Sequence, residues 1–264
     1  MHPFLLDLPS FDLLGFTLGP IRLPSFGVMV LIGVLVSRWI FFLEFRRKYL
    51  DTNLVDVLVI AAIACGIVGG KLYFILFELP PWLTWADVLG NLFSGGGLTW
   101  YGGVLLAWMV FPLLARWYST PLLSVLDTLG LVSPLGYALG RIGCQLAGDG
   151  DYGTPTDLPW AMSYPEGLVP TRELVHPTPI YEALAGFLLF YLLWSLRRRF
   201  SAHGPIFFLY LAGAGLSRFF VEFIRINPVT SLGLTDAQLI SLLMILLGAM
   251  GMLYRNRLPL KPHI

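Results

Sequence analysis

The stretch Gly136-Tyr-Ala-Leu-Gly-Arg-Ile-Gly-Cys-Gln-Leu-Ala-Gly-Asp-Gly-Asp-Tyr-Gly153 begins as the end of an apolar, glycine-dotted segment. It places Arg141 inside that segment and runs out into a short acidic loop. A cation there is expensive in a membrane, and the flanking glycines are poor helix formers. A chain that keeps both has a use for the arginine, and the surrounding sequence indicates which.

Working outward, the stretch belongs to a chain of 264 residues that is 56% hydrophobic and only 12% charged, with a mean hydropathy of +0.75. A soluble domain carries roughly twice that charge, so the composition describes a polytopic membrane protein. A net charge of +1 leaves no basic footprint for nucleic acid. Two cysteines, Cys65 and Cys144, are too few for a disulfide scaffold. The N-terminus lacks a basic run before its first apolar segment, so no cleaved signal peptide is expected.

Residues 1–23, with three prolines and two aspartates, read as an interfacial lead-in. Apolar spans follow at about 24–45, 54–77, 97–116, 122–143, 178–196, 205–225 and 237–254, each close to what a hydrocarbon core of about 30 Å needs. The Pro80-Pro81-Trp82 loop follows the second span, and the polar, proline-rich residues 144–177 form the longest loop. Trp82, Trp85, Trp160 and Asn227-Pro228 read as interface anchors and turns. Spans one, three, five and seven end in Arg46, Arg47, Lys48, Arg116, Arg197, Arg198, Arg199, Arg255, Arg257 and Lys261, whereas the opposite loops hold little beyond Arg22 and Arg172. The fold class expected is therefore an all-α integral membrane protein of seven transmembrane helices, N-terminus outside and C-terminus cytoplasmic. It forms one polytopic domain over residues 1–264, with an outer-face loop region at 144–177. Gly66-x-x-x-Gly70 and Gly136-x-x-x-Gly140 are small-residue pairs suited to close helix packing.

Arg38 can snorkel to the cytoplasmic surface. That leaves Lys71, Arg141, Arg218 and Arg225 as cations inside the membrane, with Glu182 and Glu222 as acids. They share a depth in the outer half of the spans: Lys71 is roughly 9 Å from the outer end of span two. The glycine-rich run from Gly95 to Gly103 opens span three at the same surface. Each such residue costs about 2.5–3.5 kcal/mol even on insertion scales, and is by default a functional candidate. A structural network, Arg218 with Glu222 and Arg141 with Glu182, is the plainer reading. Against it, the cations outnumber the acids, and a positive excess at low dielectric asks for an outside anion. A guanidinium fork among lipid tails suits a phospholipid head group.

The residues also carry a family resemblance. Gly140-Arg141-Ile142-Gly143 with Cys144-Gln145-Leu146-Ala147-Gly148-Asp149 resembles the Gly-Arg-x-Gly-Asn-Phe-x-Asn-x-Glu signature of prolipoprotein diacylglyceryl transferases. His176-Pro177-Thr178-Pro179-Ile180-Tyr181-Glu182 is similar to that family's His-Pro-x-x-x-Tyr-Glu, and Arg218 to Arg225 to its Arg-x-x-x-Glu-Phe-x-Arg. Gly69-Gly70-Lys71 resembles a Gly-Gly-Arg, and Leu98-Thr99-Trp100-Tyr101-Gly102-Gly103 a Ser-Phe-His-Gly-Gly. The matches run in the family's order over nearly the whole chain, as far as Gln238. Tyr101 stands at the family's His, Cys144 at its Asn, Phe26 at a common Tyr, and one extra residue precedes Tyr152-Gly153.

The resemblance implies transfer of the diacylglyceryl group of phosphatidylglycerol to the lipobox cysteine thiol of a preprolipoprotein, giving a thioether and glycerol phosphate. It places the enzyme in the bacterial inner membrane with its site toward the outer face. It implies no cofactor, no metal and no nucleic acid; the partners are the lipid, the lipobox segment and the bilayer. The thiol, with a free pKa of about 8.5, must lose its proton, and fixed positive charge must hold the departing phosphate. Arg141 and Arg218 are assigned the second task, with Lys71 weaker and with Glu182 and Glu222 as orienters. Gly102, Gly103 and Gly153 complete the binding set. The candidates for the base are His176, Asp149, Asp151 and Tyr101. His176 has a suitable pKa but can equally be a helix cap. Tyr101 suits a hydrogen bond to a lipid oxygen, Asp151 reads as a solvated loop residue, and Cys144 as a small buried packing residue. Rival readings are a lipid or anion transporter using the same cations, and a non-catalytic lipid-binding paralogue; no inverted repeat supports the transporter.

Overall fold

Runs of apolar residues with few charges fold here into long helices, and two short hairpin regions flank them. The structure is a computed structural model. It describes residues 1–257 except 9, 10, 14, 15, 20, 81–83, 85–87, 89, 93–98, 201, 231 and 232. Pro81, Trp82, Trp85, Gly95, Gly96, Gly97, Leu98 and Lys261, used in the sequence reading, lie outside the described residues.

The helices are α1 (Ser25–Arg47), α2 (Asn53–Tyr73, extended by a π turn over Phe74–Glu78), α3 (Trp100–Trp117), α4 (Leu122–Ala147), α5 (Thr178–Leu196), α6 (Pro205–Val221, tightening to a 3-10 turn over Glu222–Ile224) and α7 (Asp236–Arg257). Six of them, all but α3, are long and apolar enough to cross a membrane; the apolar run Tyr101–Trp117 is shorter. The fourth helix differs from the expectation. It continues through Gly143 and Cys144 to Ala147, so the loop begins at Gly148 rather than at 144. Gly148 ends the helix in the left-handed conformation, at φ +60°, with its N–H donating to Cys144 O at 2.8 Å.

The lead-in is not helical. β1 (Phe4–Leu8) pairs antiparallel with β4 (Ile21–Pro24), and β2 (Phe11–Leu13) with β3 (Phe16–Leu18). Alternating apolar residues in Phe4 to Leu8 carry a strand period that the span-by-span reading passed over. The lead-in is tied down by His2 N–H donating to Leu146 O at 2.9 Å, and by Ser25 donating to Pro3 O from both N (2.9 Å) and Oγ (3.1 Å). In the long loop, β5 (Met162–Tyr164) and β6 (Thr171–Val175) form a third hairpin. Tyr164 anchors it: its buried ring stacks on Tyr152 at 5.0 Å, and its hydroxyl donates to Gln145 Oε1 of α4 at 2.9 Å. Burial pushes that phenol up to about 12, so it stays a donor.

Contacts divide the chain into two units, Met1–Ile40 with Leu126–Ile264, and Phe41–Val125. Among the six helices long and apolar enough to cross a membrane, α4 is the most enclosed, with 56% of its most apolar 18-residue window buried against 17–28% in the others. Gly186 of α5 lets that helix approach α4: a Cβ there would meet Pro134 O at 2.8 Å. Asp127 caps α6, its two carboxylate oxygens accepting from Gly204 N (2.7 Å) and Phe207 N (2.9 Å), donors the helix start leaves over. In the second unit, α2 and α3 meet backbone to backbone at Gly69 and Gly102.

This contact falls on Gly69, which lies between the two glycines of the small-residue pair Gly66 and Gly70. A Cβ on Gly69 would collide with the Gly102 carbonyl, whereas one on Gly66 meets nothing within 4 Å among the described residues. Gly69→Ala should therefore destabilise the detergent-solubilised protein by about 1–3 kcal/mol, while Gly66→Ala leaves its thermal midpoint unchanged or higher. Equal effects of the two would refute the packing assignment.

Candidate active site

The charged residues of the first unit converge from four segments. Helical periodicity sets the register: Tyr137 and Arg141 are four apart on α4, and Arg218, Glu222 and Arg225 follow at four and three. The 3-10 turn ends with Arg225 in extended backbone, closing the last of these onto the same face. On α5, Pro179 in the first turn removes one of the N–H donors that a helix start leaves over, and Glu182 follows one turn in.

Glu182 is the centre. Its Oε1 accepts from Tyr137 Oη at 2.5 Å and Arg218 Nη1 at 2.9 Å. Its Oε2 accepts from Arg225 Nη1 at 3.1 Å and lies 3.2 Å from Arg141 Nε. The last contact is an ion pair without hydrogen-bond alignment, which is why Arg141 Nε lacks a hydrogen-bond partner despite it. Glu222 takes Arg218 Nη2 on Oε2 at 2.8 Å, with Asn227 Nδ2 (2.5 Å) and Thr235 Oγ1 (3.0 Å) on Oε1. Thr235 and Gln238 cap each other's backbone N–H at the start of α7. Asp151 bridges the two outer arginines, Arg141 by Nη1 and Arg225 by Nη2 at 2.7 Å.

Both pairs of the plainer structural-network reading, Arg218–Glu222 and Arg141–Glu182, form. Two expectations are corrected. Asp151 is not a solvated loop residue but a full member of the network. With it, the cations no longer outnumber the acids here: Arg141, Arg218 and Arg225 face Asp151, Glu182 and Glu222. The loop bends back because Thr178 Oγ1 donates to the Asp151 carbonyl and Gly153 pairs with both His176 and Arg225 backbone. Gly153 itself is forced: a side chain would strike Ile224 O and, at 2.8 Å, Thr178 Cγ2.

Glu182 and Glu222 lie deepest, their side chains being 2% and 0% exposed, while Arg218 is 27% and Asp151 32% exposed. Glu182 and Glu222 thus hold, from the buried side, guanidinium groups that each carry further N–H donors, the kind of group that receives an incoming oxyanion.

The other predicted residues are placed as follows. Asp149 accepts the backbone N–H of Asp151 at 3.4 Å, and a carboxylate oxygen from each of Asp149 and Asp151 lies with Cys144 Sγ in a group spanning 4.8 Å. His176 holds its ring Nδ1 3.4 Å from Tyr181 Oη, which also accepts from Trp160 Nε1 at 2.7 Å. Lys71, Tyr101, Gly102 and Gly103 belong to the second unit. Lys71 is buried and donates to Asn91 O at 2.7 Å, Tyr101 is exposed with its ring 6.1 Å from that of Tyr73, and Gly102 and Gly103 serve the α2–α3 contact. The sequence reading missed Tyr137, though its spacing from Arg141 was the available signal, and left Arg225 out of the site although it counted the charge.

A family model described as prolipoprotein diacylglyceryl transferase matches residues 14–254. Relatives named phosphatidylglycerol–prolipoprotein diacylglyceryl transferase include one from Mannheimia succiniciproducens, 34% identical, covering 97% of this chain and 98% of its own. Another, from Parasynechococcus marenigrum, is 31% identical over 92% of this chain and 93% of its own. A third, from Thermotoga maritima, is 31% identical over 90% and 83%.

Burial alone would raise the Asp151 carboxyl, but Arg141 and Arg225 outweigh it and hold its pKa below 3.8. Its ion pairs therefore stabilise the fold fully above the ordinary carboxylate pKa, and that contribution is lost as pH falls through the lowered value. The thermal-stability gap between wild type and Asp151→Asn should be widest above about pH 4 and close below it. A gap independent of pH would contradict the ion pairing.

Proposed function

The chain belongs to the prolipoprotein diacylglyceryl transferase family, and from that premise we propose that it transfers the diacylglyceryl group of phosphatidylglycerol to the lipobox cysteine of a preprolipoprotein. The observation that carries the proposal is the fan of three guanidinium groups held from below by Glu182 and Glu222. In the reaction a thiolate attacks the glycerol carbon that bears the phosphate. A carbon–sulfur bond forms, the carbon–oxygen bond breaks, and glycerol phosphate leaves with the electron pair.

The charge that develops on the departing phosphate is met by Arg141 and Arg218, with donors left over from their acidic partners. Lys71 is assigned a weaker part in binding the lipid, and Tyr101 a hydrogen bond to a lipid oxygen. Asp151, engaged by two guanidinium groups, is unsuited to accept a proton. The thiol proton is assigned to Asp149 or His176, and single variants of the two distinguish them. Gly102, Gly103 and Gly153 are assigned to substrate binding, as the family resemblance implies.

The apolar runs support seven spans in one polytopic domain, the Lys and Arg distribution supports an N-terminus outside and a C-terminus in the cytoplasm, and the family resemblance supports the bacterial inner membrane. The site then faces outward, beside the outer-face loop, where the leaflet supplies the lipid.

Purified protein incubated with phosphatidylglycerol and a lipobox peptide should yield a peptide heavier by one diacylglyceryl group, detected by mass. Arg141→Ala and Arg218→Ala should each lose at least about a hundredfold in rate. An adduct that forms undiminished in both variants would remove the arginines from the chemistry, and no adduct from the wild type would sink the activity.

A further inference from the structure

Tyr137 has no part in the chemistry above, yet it touches two members of the network at once. Its hydroxyl donates to Glu182 Oε1 at 2.5 Å, and its ring lies against Arg141, with the guanidinium carbon 4.9 Å from the ring centroid. The residue as a whole is 42% exposed, yet its hydroxyl turns inward to Glu182.

The two contacts act on the same problem. Glu182 faces three guanidinium groups, and an unshared carboxylate would draw the nearest ones into full bidentate pairs, using up the donors a phosphate needs. A neutral donor on Oε1 occupies one of its lone pairs and leaves Arg218 a single bond there. The aromatic face meanwhile restrains the plane of Arg141, whose Nε meets Glu182 and whose Nη1 meets Asp151. We propose that Tyr137 is a positioning residue for diacylglyceryl transfer, holding Arg141 with its ring and Glu182 with its hydroxyl so that the remaining guanidinium donors stay aimed at the lipid phosphate. This rests on the reading that Arg141 meets that phosphate.

The test uses the full-length protein in detergent, with phosphatidylglycerol and a lipobox peptide, and takes kcat, the KM for the lipid and the thermal midpoint on the same preparations. Tyr137→Phe keeps the ring and should lower kcat about tenfold, with the lipid KM within about twofold. Tyr137→Leu loses both contacts and should fall further, the midpoint of each variant staying near that of the wild type. Two results overturn the proposal: a kcat within about twofold of wild type in both variants, or a loss that tracks a lowered midpoint and disappears on cooling. Arg141→Ala separates the two levels. If it is inactive while Tyr137→Phe is unaffected, only the role of Tyr137 fails; if it is fully active, the reading of Arg141 fails and takes this one with it.

Discussion

The rest of the site depends on one buried carboxylate. Glu182 sits inside an apolar span with its side chain 2% exposed, where an unpaired charge would be prohibitively costly. It is satisfied by one phenol and three guanidinium groups brought from α4, α6 and the segment after α6. Those segments cannot move apart without stranding it, and removing one member of such a buried pair costs about 3–5 kcal/mol. The helix contacts at Gly186 and the cap of Asp127 on α6 set the distances at which that satisfaction is possible.

The network is charge-balanced, which changes how it would hold an anion. Net positive charge is not the attraction, because three acids face three arginines. What remains is directed capacity: guanidinium groups have five donors each, and their carboxylate partners use only some of them. Such donors are fixed before a ligand arrives, so no reorganisation is needed as charge develops on a leaving phosphate. Exposure rises from Glu222 through Arg141 to Arg218, which makes Arg218 the most open of the three guanidinium groups.

Spans were legible because apolar length is a strong signal, and the ends of α5 and α6 were marked by Pro179 and by Pro205 after Gly204. The pairs within the site were legible because spacing on a helix and opposite charge leave few alternatives, as for Arg218 and Glu222. Asp151 was not legible. Its place depends on the loop bending back through Gly153, a backbone pairing with His176 and Arg225 that no local pattern encodes. The same holds for the end of α4: Gly143 and Cys144 look like a stop, but the helix runs on to Gly148 because Ala147 is buried against the loop it precedes. Tyr137 carried a readable spacing from Arg141, and only its contact with Glu182 gives that spacing a meaning.

The claim that matters most is that Glu182 orients the arginines rather than merely neutralising them. Glu182→Gln keeps the shape and removes the charge, so the most direct measurement is its rate of diacylglyceryl transfer to a lipobox peptide, with helix content and thermal midpoint taken on the same sample. The account predicts a rate at least about a hundredfold below wild type in a protein that is still folded. A folded Glu182→Gln with wild-type turnover would contradict it.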